Sequence, residues 1–180
     1  MVRKIYRAIF LDRDGVIVKP KVKNRKSYAP IAFKDFKIYK NIKKKILLLK
    51  KLGFKIIVIT NQPDVENKKI SVKLINKMHS YLSKNLFLDG IYTCVHSQDS
   101  NCECRKPKIG LFLKAANSKK ILLKKSYMIG DRKSDIDAGI RAGCSSIFVD
   151  RNYLETKPKN QIFTAKNFNM AANFIIKNEY

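Results

Sequence analysis

The sequence predicts an α/β fold: a Rossmann-like three-layer sandwich on a mostly parallel central sheet. Two observations predict it. Short apolar runs alternate with amphipathic segments along the chain, the pattern of βαβ units. Polar clusters rich in Asp, Thr and Asn follow several of those runs, and open α/β sheets place their sites beyond the carboxyl ends of strands.

The elements follow in order. Residues 5–11 read as the first strand. Residues 41–52 read as a helix, because Ile42, Ile46 and Leu49 share a face and Gly53 supplies a stop. The run KIIVIT at 55–60 is a buried strand. Residues 70–86 form a second helix, with Ile70, Leu74, Met78 and Tyr81 on one stripe. Residues 91–95 are a third strand, 109–118 a helix, and 126–129 a fourth strand. Residues 134–142 form a helix stopped by Gly143, and 146–149 a fifth strand. A closing helix spans 168–177. The stretch 18–30 reads as irregular, basic and polar. It follows the first acidic motif directly, so it is expected to border the site. No insertion is large enough for a separate cap, so residues 1–180 read as one domain with an open site.

Composition narrows the class. Apolar residues make up 45% of 180, which excludes wholesale disorder. No apolar run is long enough to cross a bilayer. The run 8–11 is too short for a signal-peptide core, and Asp12 interrupts it. A cytoplasmic monomer is the expectation. In that compartment thiols stay reduced, so four cysteines point to a metal or to burial before disulfides. The formal net charge of +25 suits an anionic partner. It equally suits a composition rich in Lys: the lysines are spread along the chain, no basic tail appears, and Trp is absent.

Four clusters carry the chemistry: Asp12-Arg13-Asp14-Gly15, Thr60-Asn61-Gln62, Arg105-Lys106-Pro107 and Gly130-Asp131. Strand–Asp-x-Asp-Gly, strand–Thr-Asn, a downstream Lys and strand–Gly-Asp-x-x-x-Asp together resemble the haloacid dehalogenase superfamily of phosphatases. The Cys-x-Cys-Arg-Lys-Pro detail is similar to the branch of heptose bisphosphate 7-phosphatases and histidinol-phosphate phosphatases. The resemblance implies that Asp12 attacks phosphorus and forms an aspartyl phosphate. It implies that Asp14 serves as general acid and then base. Two residues apart on an extended chain, Asp12 and Asp14 can face one site. Gly15 lets the chain turn away. Mg²⁺ would be held by Asp12, Asp131 and the backbone carbonyl of Asp14, with Asp135 orienting that site or reaching the metal. Thr60, Asn61 and Lys106 would hold phosphoryl oxygens, and Arg105 a remote phosphate or hydroxyls.

Cys94, His96, Cys102 and Cys104 lie within eleven residues and can surround one Zn²⁺ tetrahedrally. The resembling family uses this pattern. Four ligands leave no open position, so the zinc would be structural and would stiffen the loop, residues 94–104, that presents Arg105 and Lys106. Cys144 reads as a buried structural thiol, and His79 and Asp137 as solvated helix residues.

The function these readings support is a Mg²⁺-dependent phosphomonoesterase acting on a small phosphorylated sugar. Heptose 1,7-bisphosphate, cleaved at the 7-phosphate, is the expected substrate. The alternatives are a histidinol-phosphate phosphatase and a nucleic-acid 3′-phosphatase. The net charge favours the last, and the lack of Trp and of an aromatic-plus-basic stretch opposes it. The chain carries Val16 and Val18 where many relatives carry Thr and Asn.

Overall fold

A computed structural model describes residues 4–179. Its centre is a six-stranded parallel sheet. In chain order the strands are β1 (Arg7–Leu11), β4 (Phe54–Asn61), β5 (Gly90–Cys94), β6 (Tyr127–Gly130), β7 (Ser145–Val149) and β8 (Phe163–Ala165). Across the sheet they run β5-β4-β1-β6-β7-β8. Between β1 and β4 lies a small antiparallel hairpin, β2 (Lys21–Lys23) and β3 (Lys26–Tyr28). Five helices cover the sheet: α1 (Ile42–Lys51), α2 (Val72–Leu86), α3 (Gly110–Lys119), α4 (Lys133–Arg141) and α5 (Phe168–Glu179). No helix among the described residues is long and apolar enough to cross a membrane.

Strand periodicity divides the core into two layers. Along β1, Ile9 and Leu11 face one side and Ala8 and Phe10 the other; along β4, Ile56 and Val58 oppose Ile57 and Ile59. The first side packs against Ile42, Ile46 and Leu49 of α1, Ile75, Met78 and Leu82 of α2, and Ala171 and Ile175 of α5. The second packs against Leu111, Phe112 and Ala115 of α3 and Ala138 of α4. Burial on both faces explains why these strands are continuously apolar.

The sequence places these helices and the five strands 5–11, 55–60, 91–95, 126–129 and 146–149 to within two residues at most ends. Three features differ. The buried stripe of α2 is Ile75, Met78, Leu82 and Leu86, whereas Tyr81 is exposed. Tyr81 lies one residue off the 3.6-residue period and packs edge-on against Phe33 and Phe36 instead. Ile70 precedes the helix cap, Ser71, whose Oγ accepts from the Leu74 N–H at 3.1 Å. Residues 18–30 are also not wholly irregular. Asn24 and Arg25, both at positive φ, close the hairpin with a tight turn. Finally, β8 is a three-residue edge strand with too short a pattern to read from sequence.

What positions the site is the register at the sheet centre. Leu11 of β1 lies beside Val58 of β4 and Ile129 of β6, so β1 and β6 end at nearly one level while β4 runs three residues further, to Asn61. The chain leaves β1 for neighbours on one side and later returns to its other side. This is the switch point at which a crevice forms beyond the strand ends.

Candidate active site

Asp12 follows β1 directly, its N–H bonded to Ile129 O at 2.9 Å. Asp131 follows β6, and Asp135 lies in the first turn of α4. Carboxylate oxygens of these three buried residues lie within 4.8 Å of one another. Lys106, also buried, enters from the loop before α3. Its Nζ donates to Asp12 Oδ1 at 2.6 Å and to Ile59 O at 2.8 Å, and lies 2.7 Å from Asp135 Oδ1. Asp135 Oδ2 also accepts from the Arg132 N–H at 3.0 Å, so this side chain is tied at both oxygens.

Three carboxylates against one buried ammonium leave a surplus of negative charge. Both oxygens of Asp131 are buried without a hydrogen-bond partner among the described residues. Burial, opposed by Lys106 and reinforced by Asp135 and Asp14, pushes the Asp12 carboxyl up to about 6. Burial, with Asp12 and Asp135 beside it, also raises Asp131 well above its ordinary 3.8. For Lys106, burial works against the charge, but Asp12 and Asp135 outweigh it and hold the group above its ordinary value. A hard divalent cation bound by carboxylate oxygens fits this donor set.

Glycine is required on both sides of the cluster. A Cβ at Gly15, where φ is +89°, would lie 1.9 Å from Asp131 Oδ2, and one at Gly130 would lie 2.1 Å from Asp135 Cβ.

Asp14 is not part of the carboxylate cluster. Its side chain accepts from Arg13 Nε and Nη2 and from Gln62 Nε2, at 2.8–3.2 Å. Thr60 is buried, and its Oγ1 accepts from Gln62 Nε2 at 2.8 Å. Asn61 pins the Lys106 backbone: Asn61 Oδ1 accepts from its N–H at 3.1 Å and Asn61 Nδ2 donates to its carbonyl at 3.2 Å. Arg105 reaches back to His96 O at 3.4 Å. These groups surround a cavity of about 500 Å³, whose wall includes Asp12, Asp14, Thr60, Asn61, Arg105 and Lys106. Lys26, Tyr28, Lys69 and Arg132 stand around its rim. The hairpin thus borders the cavity. Its backbone is fixed by Arg132 Nη2 donating to Ser27 O at 2.9 Å and Leu154 N–H donating to Arg25 O at 2.9 Å.

A second cluster lies at the end of β5. Cys94, His96, Cys102 and Cys104 each offer an atom within 4.8 Å of the others. Cys94 Sγ lies 3.6 Å from both His96 Nδ1 and Cys102 Sγ, and Cys104 Sγ lies 3.2 Å from His96 Nδ1 and 3.6 Å from Cys102 Sγ. Zn–S bonds of about 2.3 Å imply tetrahedron edges of about 3.8 Å, so the four side chains need little movement to close on a zinc ion. The sulfurs are too far apart for a disulfide, and all four cysteines are free.

Two residues read as bland or passed over in the sequence take part. His79 is not solvated: it is half-buried on α2, with Nε2 3.1 Å from Arg13 Nη1. Arg13 itself is fully buried. The signal in the sequence is a basic residue flanked by two site aspartates just beyond a buried strand. Cys144 is buried, and Asp137 pairs with Lys133 one turn earlier.

Residues 7–179 match the family described as polynucleotide kinase 3 phosphatase. The chain is 38% identical over 157 residues to a D-glycero-beta-D-manno-heptose-1,7-bisphosphate 7-phosphatase of Helicobacter pylori, covering 83% of this chain and 87% of that protein. It is 32% identical over 148 residues to the protein of the same description from Haemophilus influenzae, covering 76% and 77%. Among solved structures, it is similar to D,D-heptose 1,7-bisphosphate phosphatase from B. bronchiseptica complexed with magnesium and phosphate. That match has a TM-score of 0.81 and 22% identity, over 96% of this chain and 99% of that one.

Proposed function

The chain belongs to the polynucleotide kinase 3 phosphatase family, within the haloacid dehalogenase phosphatases, and from that premise we propose that it removes the 7-phosphate of heptose 1,7-bisphosphate through an aspartyl phosphate on Asp12. The observation that carries the proposal is the buried cluster of Asp12, Asp131 and Asp135, in which Lys106 pairs with Asp12 and Asp135 and the Asp131 oxygens are unpartnered among the described residues. Relatives named for this substrate at 38% and 32% identity support the choice of sugar.

Asp12 and Asp131, with the Asp14 backbone carbonyl and Asp135 beside them, would hold Mg²⁺. When bound, it would offset the repulsion between carboxylate and phosphate dianion. Asp12, ionised and held by Lys106, attacks phosphorus and breaks the bond to the sugar oxygen. Asp14 gives its proton to that departing oxygen, then takes one from the water that cleaves the aspartyl phosphate. Lys106 and the Thr60 hydroxyl steady the phosphoryl oxygens. The cations Lys26, Lys69, Arg105 and Arg132, which line the cavity, suit a second phosphate on the same sugar. A closed Cys94-His96-Cys102-Cys104 zinc site would stiffen the loop that carries Arg105 and Lys106. We place the enzyme in the cytoplasm as a monomer.

A nucleic-acid 3′-phosphatase is the second reading, favoured by the net charge of +25. Phosphate release should be measured on heptose 1,7-bisphosphate, histidinol phosphate and a 3′-phosphorylated oligonucleotide, with Asp12→Asn as control. The proposal expects turnover of the heptose ester above the other two and none in the variant. Preference for the oligonucleotide, lost steeply with salt, would replace it with the second reading.

A further inference from the structure

Among the described residues, Arg13 is the largest side chain wholly removed from solvent. A buried guanidinium is costly unless its N–H groups find acceptors. Here they do. Nε donates to Asp14 Oδ1 at 3.2 Å and Oδ2 at 3.1 Å, and Nη2 donates to Asp14 Oδ2 and to Gln62 Oε1, each at 2.8 Å. Nη1 meets His79 Nε2 at 3.1 Å, and the guanidinium carbon lies 5.3 Å from the centre of the Phe36 ring.

Because Arg13 has only donors, His79 Nε2 must accept, and the ring is neutral with its proton on Nδ1. Burial first, and the Arg13 charge second, agree with this by lowering the His79 pKa to about 4. The same logic fixes the Gln62 amide. Its oxygen accepts from Arg13, so its nitrogen faces Asp14 Oδ2 and Thr60 Oγ1, both at 2.8 Å. The Asp14 carboxyl therefore has one determined orientation at the cavity wall, set by Arg13, Gln62 and His79, none of which lines the cavity.

We propose that His79 and Gln62 are positioning residues for proton transfer by Asp14: they fix Arg13, and Arg13 with Gln62 fixes the Asp14 carboxyl. The proposal rests on the reading of Asp14 as proton donor. An alkoxide leaving group needs that proton and should suffer when the carboxyl wanders. An acidic phenol leaves unaided and should not.

Single-turnover release should be followed for heptose 1,7-bisphosphate and p-nitrophenyl phosphate in the parent, Asp14→Asn, His79→Phe and His79→Gln. Asp14→Asn tests the underlying reading: a loss of about 10²-fold or more on the heptose ester, and far less on the phenyl ester, is expected. Equal losses there would end the proton-donor reading and this proposal with it. Given that discrimination, His79→Phe is expected to lose about tenfold on the heptose ester and under about twofold on the phenyl ester. His79→Gln, which keeps an acceptor for Nη1, should recover most of the loss. Equal losses on both esters, or none, would overturn the positioning role while leaving Asp14 as donor. Should the Phe variant not fold, long-range ¹H–¹⁵N spectra of the parent decide. The Nδ1–H tautomer is expected for His79, and the Nε2–H tautomer or a cationic ring at pH 7 would overturn the proposal.

Discussion

The ammonium of Lys106 sits 2.6 Å from the carboxylate of Asp12, with both groups buried. Its second partner, Asp135, lies 2.7 Å away, so one cation answers two of three clustered acids. Removing one side of a buried pair leaves the other charge unmet. Lys106→Met should therefore lower stability by about 3–5 kcal/mol. It should also reduce turnover by about 10²-fold or more. Urea unfolding and phosphate release at saturating Mg²⁺ check both. An unchanged urea midpoint would show that the pair does not stabilise the fold.

Asp131 makes the opposite prediction. Its oxygens are buried and unpartnered, so without a cation the ionised side chain is a burden. Asp131→Asn should raise the melting temperature of metal-free protein by roughly 2–4 °C, on the order of 1 kcal/mol. The same variant should lose the rise in melting temperature that Mg²⁺ gives the parent. A parent protein whose melting temperature ignores Mg²⁺ would contradict the metal assignment directly.

The thiol cluster leads to a composition measurement. Purified protein should carry about one zinc per chain by elemental analysis. Cys102→Ser should lower both that content and the unfolding temperature. A zinc-free protein with unchanged unfolding temperature would dismiss the site.

Away from the site, Asp89 provides a pH signature. Its carboxylate accepts from Lys50 Nζ at 2.6 Å, Lys55 Nζ at 3.1 Å and the Ile56 N–H at 2.9 Å. Burial pushes its pKa upward, but these three donors outweigh burial and hold it below the ordinary 3.8. A carboxylate lowered in the folded state stabilises above its unfolded pKa, and that contribution is lost as pH falls through the folded value. Asp89→Asn should thus be less stable than the parent at pH 7, and the gap should close below pH 3.8. Denaturant midpoints at both ends of that range provide the comparison. A gap that persists at low pH would assign the effect to packing rather than charge.

The reading of the sequence succeeded where one local rule governed the outcome. Ile42, Ile46 and Leu49 announce α1 because one stripe meets one sheet face. The strand-end polar clusters were legible because β1, β4 and β6 are continuous apolar runs with acids or hydroxyls at their ends. Asp135 was harder. An acid in the first turn of a helix is ordinary there, and what distinguishes it is the approach of Lys106 and of the Asp12 and Asp131 carboxylates. Arg13 and His79 were out of reach for a different reason. Sixty-six positions separate them, and their contact exists only because α2 packs beside the end of β1. The hairpin was hidden by its composition, since a string of lysines carries no apolar alternation.

That hairpin has a consequence for how selectivity can change. Three of its ties run through main-chain oxygens: Ser27 O accepts from Arg132, Arg25 O from Leu154, and Asn152 O from Arg25. Side chains such as Lys26 and Tyr28 can then be exchanged by drift without loosening the turn or disturbing the acids below. Lys26 and Tyr28 line the cavity yet lie on a turn held apart from the acids, so replacing them would reshape that wall at little structural cost.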